Sequence, residues 1–371
     1  MKSLIEFPDQ KSGHFGSINK LWVVLLAMSI LAVGCKKKDD EDKDDTVTPS
    51  AYTSGIFVVN EGLFGSGSGT VSFYNRTTGD VTSKIFESKN GFPLGNIVQS
   101  VTVNDDMAYV VVNNANKVEV VESGDFLSTA TITGLDAPRY VLVNGSRAYI
   151  TEWGKTGNEG AVKVLNIFKN TIDKTISTGK GAERMAFLNN RLFVACAGGF
   201  GNDSVVSVIN AQVDTLLTNW EVGPNPNSLQ LDANDKLWVL CGGRWKSDNS
   251  AIEAPARLVR IDPSTGNVEL TLPFSTASTA SSLVINDAGD KLYYMFNSKL
   301  YAHDISSSTL AATPLISRGF YGLGFDPVSK YLYACDAGNF SSEGKVLRYE
   351  ETGAVVDSFQ VGVAPNGFAF H

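Results

Sequence analysis

One short strand pattern recurs along this chain and constrains its fold more than any other feature. It reads "SVTVN" ending at Asn104, "YVLVN" at Asn144, "MAFLN" at Asn189, "SLQLD" at Asp232, "SLVIN" at Asn286, "GLGFD" at Asp326 and "GFAFH" at His371. Successive spacings are 40, 45, 43, 54, 40 and 45 residues. That period is the length of a four-stranded propeller blade. A second strand follows each copy and carries an aromatic at one fixed column: Phe57, Tyr109, Tyr149, Phe193, Trp238, Tyr293 and Tyr333. Large rings repeated at one register imply packing between blades. A third strand ends in Asn75, Glu122, Asn166, Asn210, Asp262, Asp304 or Glu350. Turn-forming residues follow, as in "NRTTGDV" and "DPSTGNV", so these polar ends read as turn formers rather than catalytic acids.

The register at the two ends is informative. From residue 54 the repeat starts on a second strand, "GIFVV", and it finishes on an unaccompanied first strand, "GFAFH". Pairing the two completes a seventh blade and removes the open sheet edges of an unclosed array. Residues 54–371 are therefore expected to be all-β: one seven-bladed β-propeller, four antiparallel strands per blade, closed by the C-terminal strand in the first blade.

In such a blade the loops between second and third strands share a face with the blade-to-blade loops. Five of the former are long: "NEGLFGSGSG", "EWGKTGNEG", "AGGFGNDS", "GGRWKSDNSAIEAPA" and "DAGNFSSEG". Each carries an aromatic beside glycines: Phe64, Trp153, Phe200, Trp245 and Phe340. Polar neighbours include Glu61, Glu152, Asn202, Arg244 and Asp336, and the blade-to-blade loops add Arg139 and Arg184. Variable loops on a rigid scaffold are where binding resides. Aromatics ringed by polar groups suit a ligand with a flat or apolar face and a polar edge. These twelve residues are the candidate ligand-binding set, although each ring could instead fold down over its own blade. The first loop is not a phosphate-binding glycine loop, because it joins antiparallel strands rather than a strand and a helix.

Other chemistry is thinly represented. A net charge of −8 argues against a nucleic-acid partner. Of 3 histidines, His14 precedes the repeat, His303 falls in a column otherwise filled by apolar side chains and His371 is terminal. A nucleophilic triad is thus poorly supported, no group has zinc-ligand spacing, and no catalytic residue is assigned. Cys196, Cys241 and Cys335 sit at the ends of second strands and read as small buried residues. Asn60, Glu152 and Asp336 could approach the channel mouth, where oxygen ligands suit calcium. That is the basis of a minority reading as a metal-dependent hydrolase; otherwise no cofactor is expected.

The first 53 residues are separate. Lys20 precedes "LWVVLLAMSILAV", 13 apolar residues at 21–33, too short to span a bilayer and suited to a signal-peptide core. It runs into "LAVGC", which resembles a bacterial lipobox and implies cleavage before Cys35 and lipidation of its thiol. The other reading of this stretch is a buried strand with a structural cysteine. Residues 1–34 are expected to be a lipoprotein signal peptide. Residues 35–53, beginning "CKKKDDEDKDD", are expected to be a lipidated cysteine and a solvated acidic tether. An acidic run after such a cysteine resembles the export signal of lipoproteins on the outer face of the outer membrane. A plain spacer facing the periplasm is the alternative.

Leader, tether and repeat together resemble the surface-layer, YncE-like propeller lipoproteins, most specifically in "VVNEGLFGSGSGTVSFYN". Within that group the chain is similar to the BtuG lipoproteins, which capture vitamin B12 above a TonB-dependent transporter. The resemblance implies a lipid-anchored, surface-exposed, non-enzymatic protein that captures a ligand, such as the corrinoid cobalamin, on the long-loop face and delivers it to a transporter. A protein- or glycan-interaction module is the alternative. Cys35→Ala is expected to abolish labelling with radioactive palmitate and to move the protein from the membrane fraction to the soluble one.

Overall fold

The computed structural model describes residues 51–248, 250–275 and 278–371. The leader, Cys35 and residues 36–50 of the tether lie outside them. The described chain is almost wholly β, and seven of its eight sheets are the seven expected blades. First strands are Val98–Asn104, Pro138–Asn144, Ala182–Leu188, Pro226–Leu231, Ala280–Ile285, Gly322–Phe325 and Pro365–Phe370. Each touches the next around a closed circle, with Gly322–Phe325 meeting Pro365–Phe370 and Pro365–Phe370 meeting Val98–Asn104.

Closure uses the ends as the register requires. Pro365–Phe370 lies antiparallel to Gly55–Asn60, with Ile56 opposite Phe370 and Val58 opposite Phe368. Gly55 and His371 exchange backbone hydrogen bonds of 3.1 and 2.9 Å. Arg76 of blade 1 clamps the junction, making two bonds to the Asp326 carboxylate of blade 7 at 2.8 and 2.9 Å and another to the carbonyl of His371. Burial alone would raise the Asp326 carboxyl, but its bonds from Arg76 and Ser329 outweigh that and hold it below the usual carboxylate range.

The core divides at the seams. All seven column aromatics are at most 2% exposed. Each belongs to a different apolar cluster joining its own blade to the next. Tyr109 packs with Val141 and Ile150, Trp238 with Leu292 and Tyr294, and Tyr333 with Ile56 and Val58 of blade 1. A fully buried side chain of this size contributes about 1.5–3 kcal/mol over an exposed one. Cys196, Cys241 and Cys335 are buried and unpaired, and burial pushes the first two thiols up to about 11 and about 12. His303 is buried against Trp238, ring centroids 5.3 Å apart, and burial lowers its pKa.

The polar ends of the third strands close turns. Asn75, Asn166, Asn210, Asp262 and Asp304 each accept a backbone N–H from two residues on, at 2.8–3.1 Å. The four-strand plan is regular in six blades. In the sixth, the sheet has three strands, and the outer one shrinks to a bridge between Leu300 and Ile316. Segment 305–316 contains Pro314 and no sustained apolar alternation, so it cannot continue a ladder. Two insertions decorate the ring. Helix Ile85–Asn90 buries Ile85 and Phe86, and a hairpin of Arg244–Trp245 and Ile252–Ala254 rises from blade 5.

Deleting residues 365–371 removes the closing strand and exposes two seam clusters. The midpoint of thermal unfolding should fall by more than about 10 °C, or cooperative unfolding should be lost, as calorimetry would show.

Candidate functional site

The mouth of the central channel on the long-loop face is built by a repeated backbone irregularity. Six of the seven first strands shift register near their start. In five of them the residue just before the strand has positive φ: Ile97, Ala137, Gly181, Asn225 and Ala364. Four of these carry a Cβ, for which that conformation costs roughly 1–2 kcal/mol. Only surrounding structure can hold it. The bulge frees the following side chain from the ladder, and the residues placed there are Gln99, Arg139, Glu183, Asn227 and Asn366.

Four of these join in one network. Arg139 donates from Nε to Glu183 Oε1 at 3.0 Å and from Nη1 to Gln99 Oε1. Its guanidinium lies over the Trp153 ring, 4.2 Å from the centroid. Burial dominates at Glu183 and raises its carboxyl although Arg139 opposes it. Asn366 links to the Gln99 carbonyl at 3.3 Å and donates to Glu61 Oε1 at 2.8 Å. Tyr321 Oη donates to the same carboxylate at 3.0 Å. Burial is the largest influence on Glu61 and raises its pKa, despite the Asn366 and Tyr321 bonds and the Arg139 charge.

Above this floor lies a cleft of about 600 Å³ reaching from blade 1 to blade 4. Phe64 and Phe200 stand on its rim, 89% and 80% exposed. Phe200 meets Trp153 edge-on at 5.5 Å, and Asn113, Asn114 and Asn116 supply amides along one side. Arg139 is paired within the floor and Glu61 is hydrogen-bonded to Tyr321 and Asn366, so the cleft offers apolar ring faces and amide edges to a ligand, with Asp136 and Lys155 also in its lining.

Residues 54–363 match the family described as domain of unknown function DUF5074. The chain belongs to that family. No curated protein matches it by sequence. Among solved structures it is similar to a quinonprotein alcohol dehydrogenase-like protein of Bacteroides thetaiotaomicron, with a TM-score of 0.63 at 13% identity over 86% of this chain and 78% of that one. It is also similar to the periplasmic gluconolactonase of Pseudomonas aeruginosa, with a TM-score of 0.62 at 15% identity over 85% and 98%. Hydrazine synthase of Kuenenia stuttgartiensis gives 0.59 at 15% over 75% and 92%. At these identities the likeness is one of fold alone.

The DUF5074 propeller separates the twelve candidate residues. Glu61, Phe64, Arg139, Trp153 and Phe200 share the main cleft. Asp336 and Phe340 line a shallower groove of about 480 Å³ between blades 6 and 7. Asn202, Arg244 and Trp245 line a third at the hairpin. Arg184 turns into the central channel. Glu152 lies in the blade, bound to the Asp136 N–H at 3.0 Å and to Lys163 at 3.1 Å. Asp336 is paired with Arg318 at 2.7 Å, and Asn60 donates to Ser72 and Thr70 at 3.1 and 3.2 Å. Glu152 and Asp336 are thus held by partners within or beside their own blades, while the Asn60 Oδ1 atom is buried without one. Among the described residues no group of three His, Cys, Asp or Glu converges as metal ligands.

Sequence reasoning missed Gln99, Glu183 and Asn366 as site residues. Their signal was a polar residue one or two positions after a loop, inside an otherwise apolar first strand, in several blades at once. Glu61 gives a test. Its folded-state pKa is raised above the ordinary 4.5, so its contribution to stability is fully present at lower pH and lost as pH rises through the folded value. Glu61→Gln should therefore melt about 1–3 °C higher than the wild type at pH 7.5. The difference should vanish near pH 4 in a thermal-shift series.

Proposed function

We propose that this DUF5074 propeller is a non-enzymatic capture protein that holds a small ligand in the cleft between blades 1 and 4. Lipidated at Cys35 and displayed on the outer membrane, it would deliver that ligand to a TonB-dependent transporter. The observation that carries the reading is the pairing of two highly exposed rings, Phe64 and Phe200, with a floor of hydrogen-bonded charges and amides around Arg139. Exposed aromatic rings on loops gain by covering an apolar ligand face. The amides and the Tyr321 hydroxyl suit a neutral polar periphery rather than a strongly charged one. A corrinoid such as cobalamin, a broad macrocycle edged with amides, has that character, and the likeness of the leader, tether and repeat to the YncE-like propeller lipoproteins, the BtuG lipoproteins among them, supports it.

A second reading has its own observation. The groove between blades 6 and 7 sets Phe320, Tyr321 and Phe340 among the hydroxyls of Ser278, Thr279, Ser281 and Ser298. Phe340 and Tyr321 are 49% and 43% exposed and meet edge-on at 4.9 Å. Rings beside hydroxyl-rich walls suit a glycan or a protein loop.

Calorimetric titration of the full chain with cyanocobalamin decides between them. Binding at micromolar concentrations, weakened about tenfold by Phe64→Ala or Phe200→Ala and unchanged by Phe340→Ala, is expected. Absence of heat in that range overturns the corrinoid reading. Oligosaccharide binding lost only in Phe340→Ala would establish the second.

A further inference from the structure

Arg184 is the one residue of the twelve candidates that lines the central channel, and its surroundings are unusual for a guanidinium. It is half-buried in the channel enclosed by the first strands, a cavity of about 340 Å³. Among the described residues its side chain makes no hydrogen bond or ion pair. Its partner is the face of Tyr140, 4.5 Å from the guanidinium carbon to the ring centroid. The neighbouring Glu183 carboxylate attracts it, but that carboxylate is already bonded to Arg139 at 3.0 Å. Two guanidinium groups therefore flank the Glu183 carboxylate, and Arg184 is the one charged side chain among the residues that line the channel cavity.

The groups around it are able to bind an anion. Tyr140 Oη accepts a bond of 3.4 Å from Gln99 and donates to no described group, so its proton is available. Gln99 and Gln230 line the same cavity, and each keeps one amide N–H beyond its bond to Tyr140 or to the Leu283 carbonyl. The Asn366 Oδ1 atom is buried without a partner, and it would accept from a protonated oxygen of a bound acid. A half-buried guanidinium is costly to leave unpaired, and its fork of donors matches the oxygens of a phosphate or carboxylate. Gln99 lines both cavities, so a group seated in the channel is one residue removed from the cleft.

We propose that the central channel is a second binding subsite, taking a phosphate or carboxylate group with Arg184 as its cation and the Tyr140 hydroxyl as a further donor. The inference does not use the identity of the cleft ligand. Inorganic phosphate is the probe. The melting temperature of the full chain is followed as phosphate is added at constant ionic strength. A saturating rise of about 3 °C is expected for the wild type, with at least tenfold weaker binding in Arg184→Gln and intermediate binding in Arg184→Lys. Equal responses in all three proteins, or none up to about 50 mM, overturn the proposal.

If the Arg184 variants fail to fold, a tungstate soak of wild-type crystals answers the question. Density against Arg184 in the channel supports the subsite, and density only elsewhere overturns it. Titration with cyanocobalamin in the presence of phosphate separates two sources of the anion. Mutual displacement would make the channel the seat of that ligand's own phosphate. Unchanged phosphate affinity would make it a site for a free anion.

Discussion

The seam between neighbouring blades is the interaction on which the remaining structure depends. A twisted four-stranded sheet of this composition is apolar on both faces, and one blade alone would leave both wet. Setting one aromatic per second strand into the next blade covers both faces of every sheet, provided the row returns to its start. The last seam, where Tyr333 meets Ile56 and Val58, exists only because Pro365–Phe370 pairs with Gly55–Asn60. The buried Arg76–Asp326 bridge crosses that junction. Closure is thus one event with three supports: a ladder, an apolar cluster and a two-bond ion pair.

The same closure creates the mouth. Seven first strands brought around one axis crowd the polar side chains at their starts, and the bulges relieve the crowding by turning those residues out of the ladder. Charges concentrated there must be paired or desolvated at a cost. The Arg139–Glu183 pair and the Glu61 bonds to Tyr321 and Asn366 are the local solution. With the Gln99 bonds to Arg139 and Asn366, these links join blades 1, 2, 3, 4 and 7, so the floor of the cleft is held from five directions. The rings above it stand on glycine-bearing loops and remain exposed.

Much of this was readable before any coordinates. The Phe57 column marked the seams, Asn75 and its counterparts marked the turns, and the unmatched "GFAFH" strand marked the closure. Each is a local pattern repeated seven times, and repetition makes a weak local signal strong. The reduced outer strand of blade 6 was not readable, because the repeat implied a strand there and only the composition of 305–316 opposed it. Nor was Glu183 as the partner of Arg139. The two are 44 residues apart, and their approach depends on bulges in both strands, which the apolar alternation does not record.

The sequence by itself determined that the chain closes into seven blades and that its glycine-and-aromatic loops share one face. Both follow from period and strand polarity, which are properties of the backbone. The tertiary structure alone decided which loop residues share a cavity. It placed Phe64 and Phe200, which lie in different blades, on one rim. It turned Glu152 back onto Lys163 and aimed Arg184 into the channel rather than the cleft. The physical reason is that a loop side chain finds its partner across a seam, on a neighbour some forty residues away. The spacing of those partners is set by the curvature of the closed ring and not by any stretch of sequence that either residue belongs to.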